Sequence, residues 1–335
     1  MKDPNEALIE GYDLMAAADS AALFEPRRAP SWRDHTYSAA ALQRKTFPPV
    51  QWIIPGLVPE GLTIFAGKPK VGKSWLILDG AVSVASARAC LGNVEPEQGD
   101  VLYCALEDNA RRLQDRLTKT LPTFTGKWPE YLTLTNKWER LNQSGVRHIR
   151  EWAESVSRPR LVILDTLAGV KPINNRDGYA ADYAALEGLH ALANELRIAI
   201  VVLHHLRKAE SEDPLDSISG TLGLAGCADT LIVIQRNTQG TTLYVRGRDI
   251  EEAEHAVEFN KRTCRWTLLG NASDVRRSSE RGRILAVFDD TEEALGPNEI
   301  AAGARMKSEN VRYLVGQMVQ AGDLIKEARG KYRRP

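Results

Sequence analysis

The sequence predicts an α/β protein: a doubly wound, mostly parallel sheet with antiparallel hairpins at one edge, followed by a small helical unit. Three observations predict it. Short apolar runs at 62–66, 101–106, 161–164, 198–203 and 231–235 have the continuous hydrophobicity of strands buried on both faces. Helix-length stretches at 73–89, 108–120, 144–157 and 179–196 alternate with them. A glycine-containing loop of phosphate-binding type lies between the first strand and the first helix.

Taken in order, residues 4–24 mix acidic and small apolar residues and read as one helix, with Pro4 near its start. Pro26, Pro30, Pro48, Pro49, Pro55 and Pro59 then forbid long regular structure, so 25–60 reads as an arm. The strand–helix rhythm follows. After it, strands at 230–236 and 241–246 flank the turn 237–240, and a second pair at 256–259 and 264–269 flanks 260–263. The polar stretch 271–279 reads as a linker. Beyond it come helices at 283–288, from Gly296-Pro297 onward and at 307–321, where Val311, Leu314, Val315 and Met318 keep helical spacing. A basic hairpin, 324–326 with 331–334 joined through Gly330, closes the chain. The expected division is 1–47 for the N-terminal helix and arm, 48–270 for the α/β domain, 271–279 for the linker and 280–335 for the small unit.

Composition excludes several classes. Lys and Arg number 44 and so do Asp and Glu, so any nucleic-acid surface has to be local. Cys90, Cys104, Cys227 and Cys264 form no CxxC pair, which argues against a zinc site or a disulfide framework. They read as small buried residues. No signal-type segment is visible and no apolar run approaches the roughly 20 residues of a membrane span, so the expected location is the cytoplasm.

Gly67-Lys68-Pro69-Lys70-Val71-Gly72-Lys73-Ser74 fits GxxxxGK[ST] in full, in the strand–loop–helix context that gives the motif its meaning. Backbone N–H groups and the positive end of the next helix surround phosphates there, which requires glycine where the chain turns tightly. Lys73 is expected to neutralise the β- and γ-phosphates of ATP, and the Ser74 hydroxyl to bind Mg²⁺. Asp165 ends the apolar strand Leu161-Val162-Ile163-Leu164 and is the natural second contributor to that Mg²⁺ site. Glu107 ends the strand after the phosphate loop's helix, where a carboxylate faces the nucleotide crevice and can activate water. Asp108 beside it reads as the cap of the following helix.

With these residues in place the chain resembles the RecA-like ATPases, and among them the RepA-like hexameric helicase branch of AAA-type ATPases from plasmids, phages and mobile elements. The resemblance covers about residues 48–270. It rests on the lead-in Trp52-Ile53-Ile54-Pro55-Gly56-Leu57-Val58-Pro59-Glu60-Gly61, the phosphate loop, Ala105-Leu106-Glu107-Asp108 and Leu164-Asp165-Thr166-Leu167. Leu203-His204-His205-Leu206-Arg207-Lys208 and Ser219-Gly220-Thr221 continue it. It implies Glu107 as catalytic glutamate and His205, with His204 next to it, as the strand-end group that touches the γ-phosphate. It places a mobile central-pore DNA loop at 206–222, where Arg207 and Lys208 are the expected phosphate contacts beside the acidic Glu210, Glu212 and Asp213. Arg248, supported by Arg246, falls where ring-forming relatives carry an arginine finger that reaches the neighbouring subunit's nucleotide.

Residues 280–335 resemble a winged helix-turn-helix, whose third helix enters the major groove while the wing touches phosphates. Lys307, Asn310, Arg312, Lys331 and Arg333 are the expected duplex contacts, although the nearby acidic run 289–293 opposes them. The resulting expectation is a homo-oligomeric ring, a hexamer, that uses ATP and Mg²⁺ to move on single-stranded DNA in a central pore. The competing expectation is an ATP-dependent regulator or helicase loader that binds DNA without unwinding it. No feature separates these two. A slow nucleotide-holding DNA-binding protein fits less well, because Glu107, Asp165 and Arg248 occur together.

Overall fold

The computed structural model describes residues 32, 36–121, 127–172, 179–206, 214, 218, 222–237, 239–289, 291 and 293–335. Residues 1–49 and 50–335 group as two compact units. In the first, α1 (Ala39–Gln43) is capped by Ser38, whose hydroxyl accepts from the Ala41 N–H at 3.1 Å. The helix expected over 4–24 lies outside the described residues.

The second unit opens with a short antiparallel pair, β1 (Trp52–Ile54) and β2 (Val58–Pro59), leading into β3 (Gly61–Gly67). Then come α2 (Lys73–Ser86), β4 (Asp100–Ala105), α3 (Ala110–Thr120), β5 (Leu132–Thr135), α4 (Val146–Ser155) and β6 (Pro159–Asp165). Next are α5 (Leu167–Val170), α6 (Tyr179–Leu196), β7 (Ala199–His205) and α7 (Leu222–Cys227). Two hairpins follow, β8 (Thr230–Asn237) with β9 (Gly240–Gly247), and β10 (Ala253–Asn260) with β11 (Arg265–Asn271). The described residues form a nine-stranded sheet in the order β11-β10-β9-β8-β3-β7-β6-β4-β5. It is parallel from β8 to β5, and β9, β10 and β11 extend it antiparallel at one edge.

The central strands are apolar throughout because helices cover both faces. On one face Leu76, Ile77 and Val84 of α2 and Leu113 and Leu117 of α3 pack with Phe65, Val101 and Ile163. On the other, Ile149 of α4 and Leu186 and Leu189 of α6 pack with Ile64, Leu102, Val162 and Ile200. Cys90, Cys104 and Cys227 are buried, Cys264 is half-buried, and all four are free thiols. Among the described residues no helix is long and apolar enough to cross a membrane.

Three details differ from the sequence expectation. The edge strand β5 pairs parallel with β4 although its own pattern is half-exposed and polar. The stretch 271–279 is helical rather than an irregular linker. It forms the start of α8 (Ala272–Ala286), with the Asn271 side chain accepting from the Ser273 N–H at 2.9 Å. The cap of α3 is Asn109, whose side chain accepts from the Arg112 N–H at 2.9 Å, not Asp108. Such a cap contributes about 1 kcal/mol. Asp108 instead pairs with Arg116 at 2.7 Å and Arg112 at 3.2 Å.

The C-terminal residues form α8, α9 (Pro297–Ala304), α10 (Ser308–Gln320) and a hairpin of β12 (Ile325–Ala328) and β13 (Lys331–Arg333), with a further bridge from Leu295 to Tyr332. A third core of Ile284, Phe288, Ile300, Val311, Leu314 and Met318 holds these helices together. The observed order is three helices and then a hairpin.

Candidate active site

Four neighbouring strands, β3, β7, β6 and β4, end at one edge of the sheet and deliver one functional residue or loop each. β3 ends at Gly67, paired with His205 at the end of β7. β6 ends at Asp165, paired with Ala105 at the end of β4, and Glu107 stands two residues further on. Parallel pairing in register thus converges what the sequence scatters widely along the chain.

The phosphate loop's shape follows from its glycines. Gly72 holds φ of 106°, and a Cβ there would come within 2.7 Å of the Trp266 ring, whose Nε1–H donates to the Gly72 carbonyl at 3.2 Å. At Gly67 a Cβ would meet Ile234 at 2.7 Å. Neither position accepts another residue without movement. Gly72 also caps α2 with no side-chain hydrogen bond, which leaves the first N–H groups of this 14-residue helix facing the loop.

Lys73 folds back over the loop. Its ammonium donates to the Gly67 carbonyl at 2.7 Å and the Lys68 carbonyl at 3.1 Å, and it contacts His205 Nδ1 at 3.1 Å. An ammonium has no acceptor capacity, so Nδ1 accepts and the proton of the imidazole sits on Nε2. That Nε2–H points at Glu107 Oε1, 3.3 Å away, and the Thr166 hydroxyl donates to the same oxygen at 2.9 Å. Burial pulls the Lys73 ammonium down to about 8, against the opposing pull of Asp165 and Glu107. A buried cation held among carbonyls and carboxylates is a seat made for an anion.

Asp165 is 4% exposed. Burial pushes its carboxyl up, while hydrogen bonds from the Ser74 and Tyr103 hydroxyls oppose that and stabilise the charged form. The Tyr103 bond to Oδ2 is 2.9 Å long. A hydroxyl and a carboxylate in contact at the mouth of a phosphate loop form the hard oxygen set that Mg²⁺ takes alongside waters and phosphate oxygens, so the residues fit that ion. The Asp165–Thr166 peptide is cis.

The arginines expected to act at an interface lie elsewhere. Arg248 sits just past the end of β9, where its N–H donates to the Asp229 carbonyl at 2.9 Å and its guanidinium to Asp229 Oδ1 at 3.1 Å. Asp229 Oδ2 accepts from the Leu62 N–H at 2.9 Å, which fixes this pair beside the start of β3. Arg246 pairs with both oxygens of Glu252 at 2.8 and 2.9 Å. Six residues of extended β3 separate Gly61 from Gly67, or about 20 Å. Arg248 and its own phosphate loop therefore occupy opposite edges of the sheet.

Of the expected DNA contacts, Arg207 and Lys208 lie outside the described residues, as do Ser219, Gly220 and Thr221. Lys307, Asn310 and Arg312 are exposed at the start of α10, Arg312 lying 3.5 Å from the Asn298 side chain. Lys331 pairs with Glu299 at 2.7 Å and Arg333 with Glu327 at 3.8 Å. Neighbouring acids thus partly neutralise the hairpin's positive charge. Sequence reasoning missed two residues of the site, Tyr103 and Trp266. Their signal was an aromatic side chain inside a strand otherwise built from small or aliphatic residues.

A family model described as an AAA domain matches residues 28–211. Among solved structures, a helicase ATPase domain superposes with a TM-score of 0.52 at 15% identity, over 63% of this chain and 85% of that one. A DnaB-like replicative helicase, solved in a study that included its interactions with primase, gives 0.53 at 12% identity, over 78% and 70%. At such identities the likeness is one of fold, the RecA-like ATPase fold of helicase domains. No curated protein sequence matches.

Proposed function

The chain belongs to the AAA-domain family, and from that premise we propose that it is an ATP-hydrolysing nucleic-acid motor, a ring of copies that moves along single-stranded DNA. In this reading Lys73 neutralises charge on the β- and γ-phosphates while Ser74 and Asp165 hold Mg²⁺. When bound, that ion supplies positive charge between the phosphate oxygens. Glu107 takes a proton from the water that attacks the γ-phosphorus as the bond to the ADP oxygen breaks. His205, bonded to both Lys73 and Glu107, senses whether the γ-phosphate is present. Arg207 and Lys208 contact DNA in the central pore. The C-terminal helices and hairpin act as a winged helix-turn-helix that touches duplex phosphates through Lys307, Asn310, Arg312, Lys331 and Arg333.

The observation that carries the ring is the position of Arg248 at the sheet edge opposite its own phosphate loop. A guanidinium there serves no cis nucleotide. In a head-to-tail assembly it faces the next copy's site, and interfaces of that kind close into rings. A second reading, a regulator or helicase loader without unwinding activity, is favoured by the C-terminal unit. Residues 280–335 carry ten Lys and Arg against nine Asp and Glu, and the hairpin basics are paired with acids, a surface suited to protein as well as DNA. The deciding experiment measures ATP turnover with and without single-stranded DNA, alongside molar mass by light scattering. Strong stimulation in a large closed oligomer supports the motor; DNA-independent turnover by a monomer overturns it.

A further inference from the structure

Strand β4 is buried along its whole length, and its inward side chains Val101, Leu102, Cys104 and Ala105 are what such a strand needs. Tyr103 is the exception. Its side chain is 0% exposed, so its hydroxyl reaches no water and requires a partner inside the protein. That partner is Asp165 Oδ2, at 2.9 Å, one strand away and 62 residues along the chain. Burial holds the phenol in its neutral, proton-donating form by pushing its titration well above the usual range, with Asp165 adding to the push. A phenylalanine would fill the same space at no polar cost, so packing alone does not account for a tyrosine here.

We propose that Tyr103 is a positioning residue that holds Asp165 in its metal-directing rotamer, an inference that rests on the reading of Asp165 as a Mg²⁺ ligand. The phenol occupies Oδ2 and fixes the plane of the carboxylate. Its donated hydrogen bond helps keep the group ionised in a site only 4% exposed. The remaining lone pairs stay available for the Ser74 hydroxyl and the ion. Supporting partners of this kind typically change metal affinity by about 10–100-fold when removed.

The test is Tyr103→Phe, compared with wild type and with Asp165→Asn. Binding of a fluorescent ATP analogue is measured first in EDTA and then against added Mg²⁺, and Mn²⁺ binding to the nucleotide complex is followed by electron paramagnetic resonance. Tyr103→Phe is expected to bind nucleotide like wild type in EDTA, yet to need about tenfold more Mg²⁺ or Mn²⁺ for half-saturation. Asp165→Asn is expected to lose more. Unchanged metal affinity in Tyr103→Phe, with a clear loss in Asp165→Asn, overturns the role of Tyr103 while keeping that of Asp165. Unchanged metal affinity in Asp165→Asn overturns the reading of Asp165 itself. Weakened nucleotide binding in EDTA also overturns the proposal, because the phenol would then serve the sheet rather than the carboxylate.

Discussion

Replacing Arg248 by alanine separates a surface ion pair from a finger that acts across an interface. Locally little is at stake. The Arg248 side chain is 59% exposed, and exposed pairs contribute about 0–1 kcal/mol. Asp229 keeps the Leu62 N–H and the His190 ring at 3.1 Å, so it is not left alone. The fold should survive. Direct action in cis is excluded by the roughly 20 Å of β3 between this arginine's edge and its own phosphate loop. An arginine inserted at a neighbour's transferring phosphoryl group is worth about 10³–10⁵ in rate, or about 4–7 kcal/mol. Arg248→Ala should therefore melt near the wild-type temperature and bind ATP normally, yet turn it over at least about a thousandfold more slowly. Mixing it with Lys73→Ala provides the assay. Each active site then needs an intact Lys73 from one copy and an intact Arg248 from the next, a pairing at about a quarter of interfaces in a random equal mixture. Partial recovery of turnover is expected. Full activity in Arg248→Ala alone, or no recovery once subunit exchange has been demonstrated, would falsify the trans assignment.

Gly72→Ala forces a Cβ to within 2.7 Å of Trp266 at a φ of 106°, and such backbone strain costs about 1–3 kcal/mol. A lowered melting temperature and weaker binding of a fluorescent ATP analogue are expected, and an unchanged affinity would show that the loop tolerates the shift. Burial lowers the Lys73 ammonium from 10.5 to about 8, so between those values the unfolded chain binds more protons than the folded one. Its contribution to folding stability therefore rises with pH across that window, while ATP affinity falls, because the phosphates require the proton the free protein has lost. Calorimetry in buffers of different ionisation enthalpy should register proton uptake on ATP binding above about pH 8, and its absence would count against Lys73 as the phosphate cation. Lys307→Glu with Arg312→Glu should weaken duplex binding and reduce its salt dependence by about one unit of slope per lost phosphate contact. Basal ATP turnover should stay unchanged; duplex affinity equal to wild type would assign this face to a partner other than DNA.

Much of this site is legible in the sequence because the chemistry constrains residues close together. The phosphate loop needs its glycines at fixed spacing, and Asp165, Glu107 and His205 each end an apolar run that parallel pairing aligns at one edge. The rest is non-local or weakly patterned. Tyr103 meets Asp165 across 62 residues and Trp266 meets the Gly72 carbonyl across 194, distances over which no periodicity carries a signal. Strand β5, Leu-Thr-Leu-Thr, is half-exposed at the sheet edge and lacks the apolar run that marks its neighbours. The start of α8 is polar because the helix buries only Ala272 and Ile284, so its composition resembles that of a linker. At the start of α3, Asp108 and Asn109 both suit a cap, and the two arginines one and two turns along draw the aspartate away from it.

The central claim is that the four strand ends hydrolyse ATP, with Glu107 activating the water. Single-turnover hydrolysis by Glu107→Gln, measured beside nucleotide affinity, tests it most directly. The amide preserves shape and can still meet Thr166 and His205, but it cannot accept the proton. The expected result is ATP binding within error of wild type and a hydrolysis rate lower by about 10²–10⁴-fold. Hydrolysis at the wild-type rate would contradict the account.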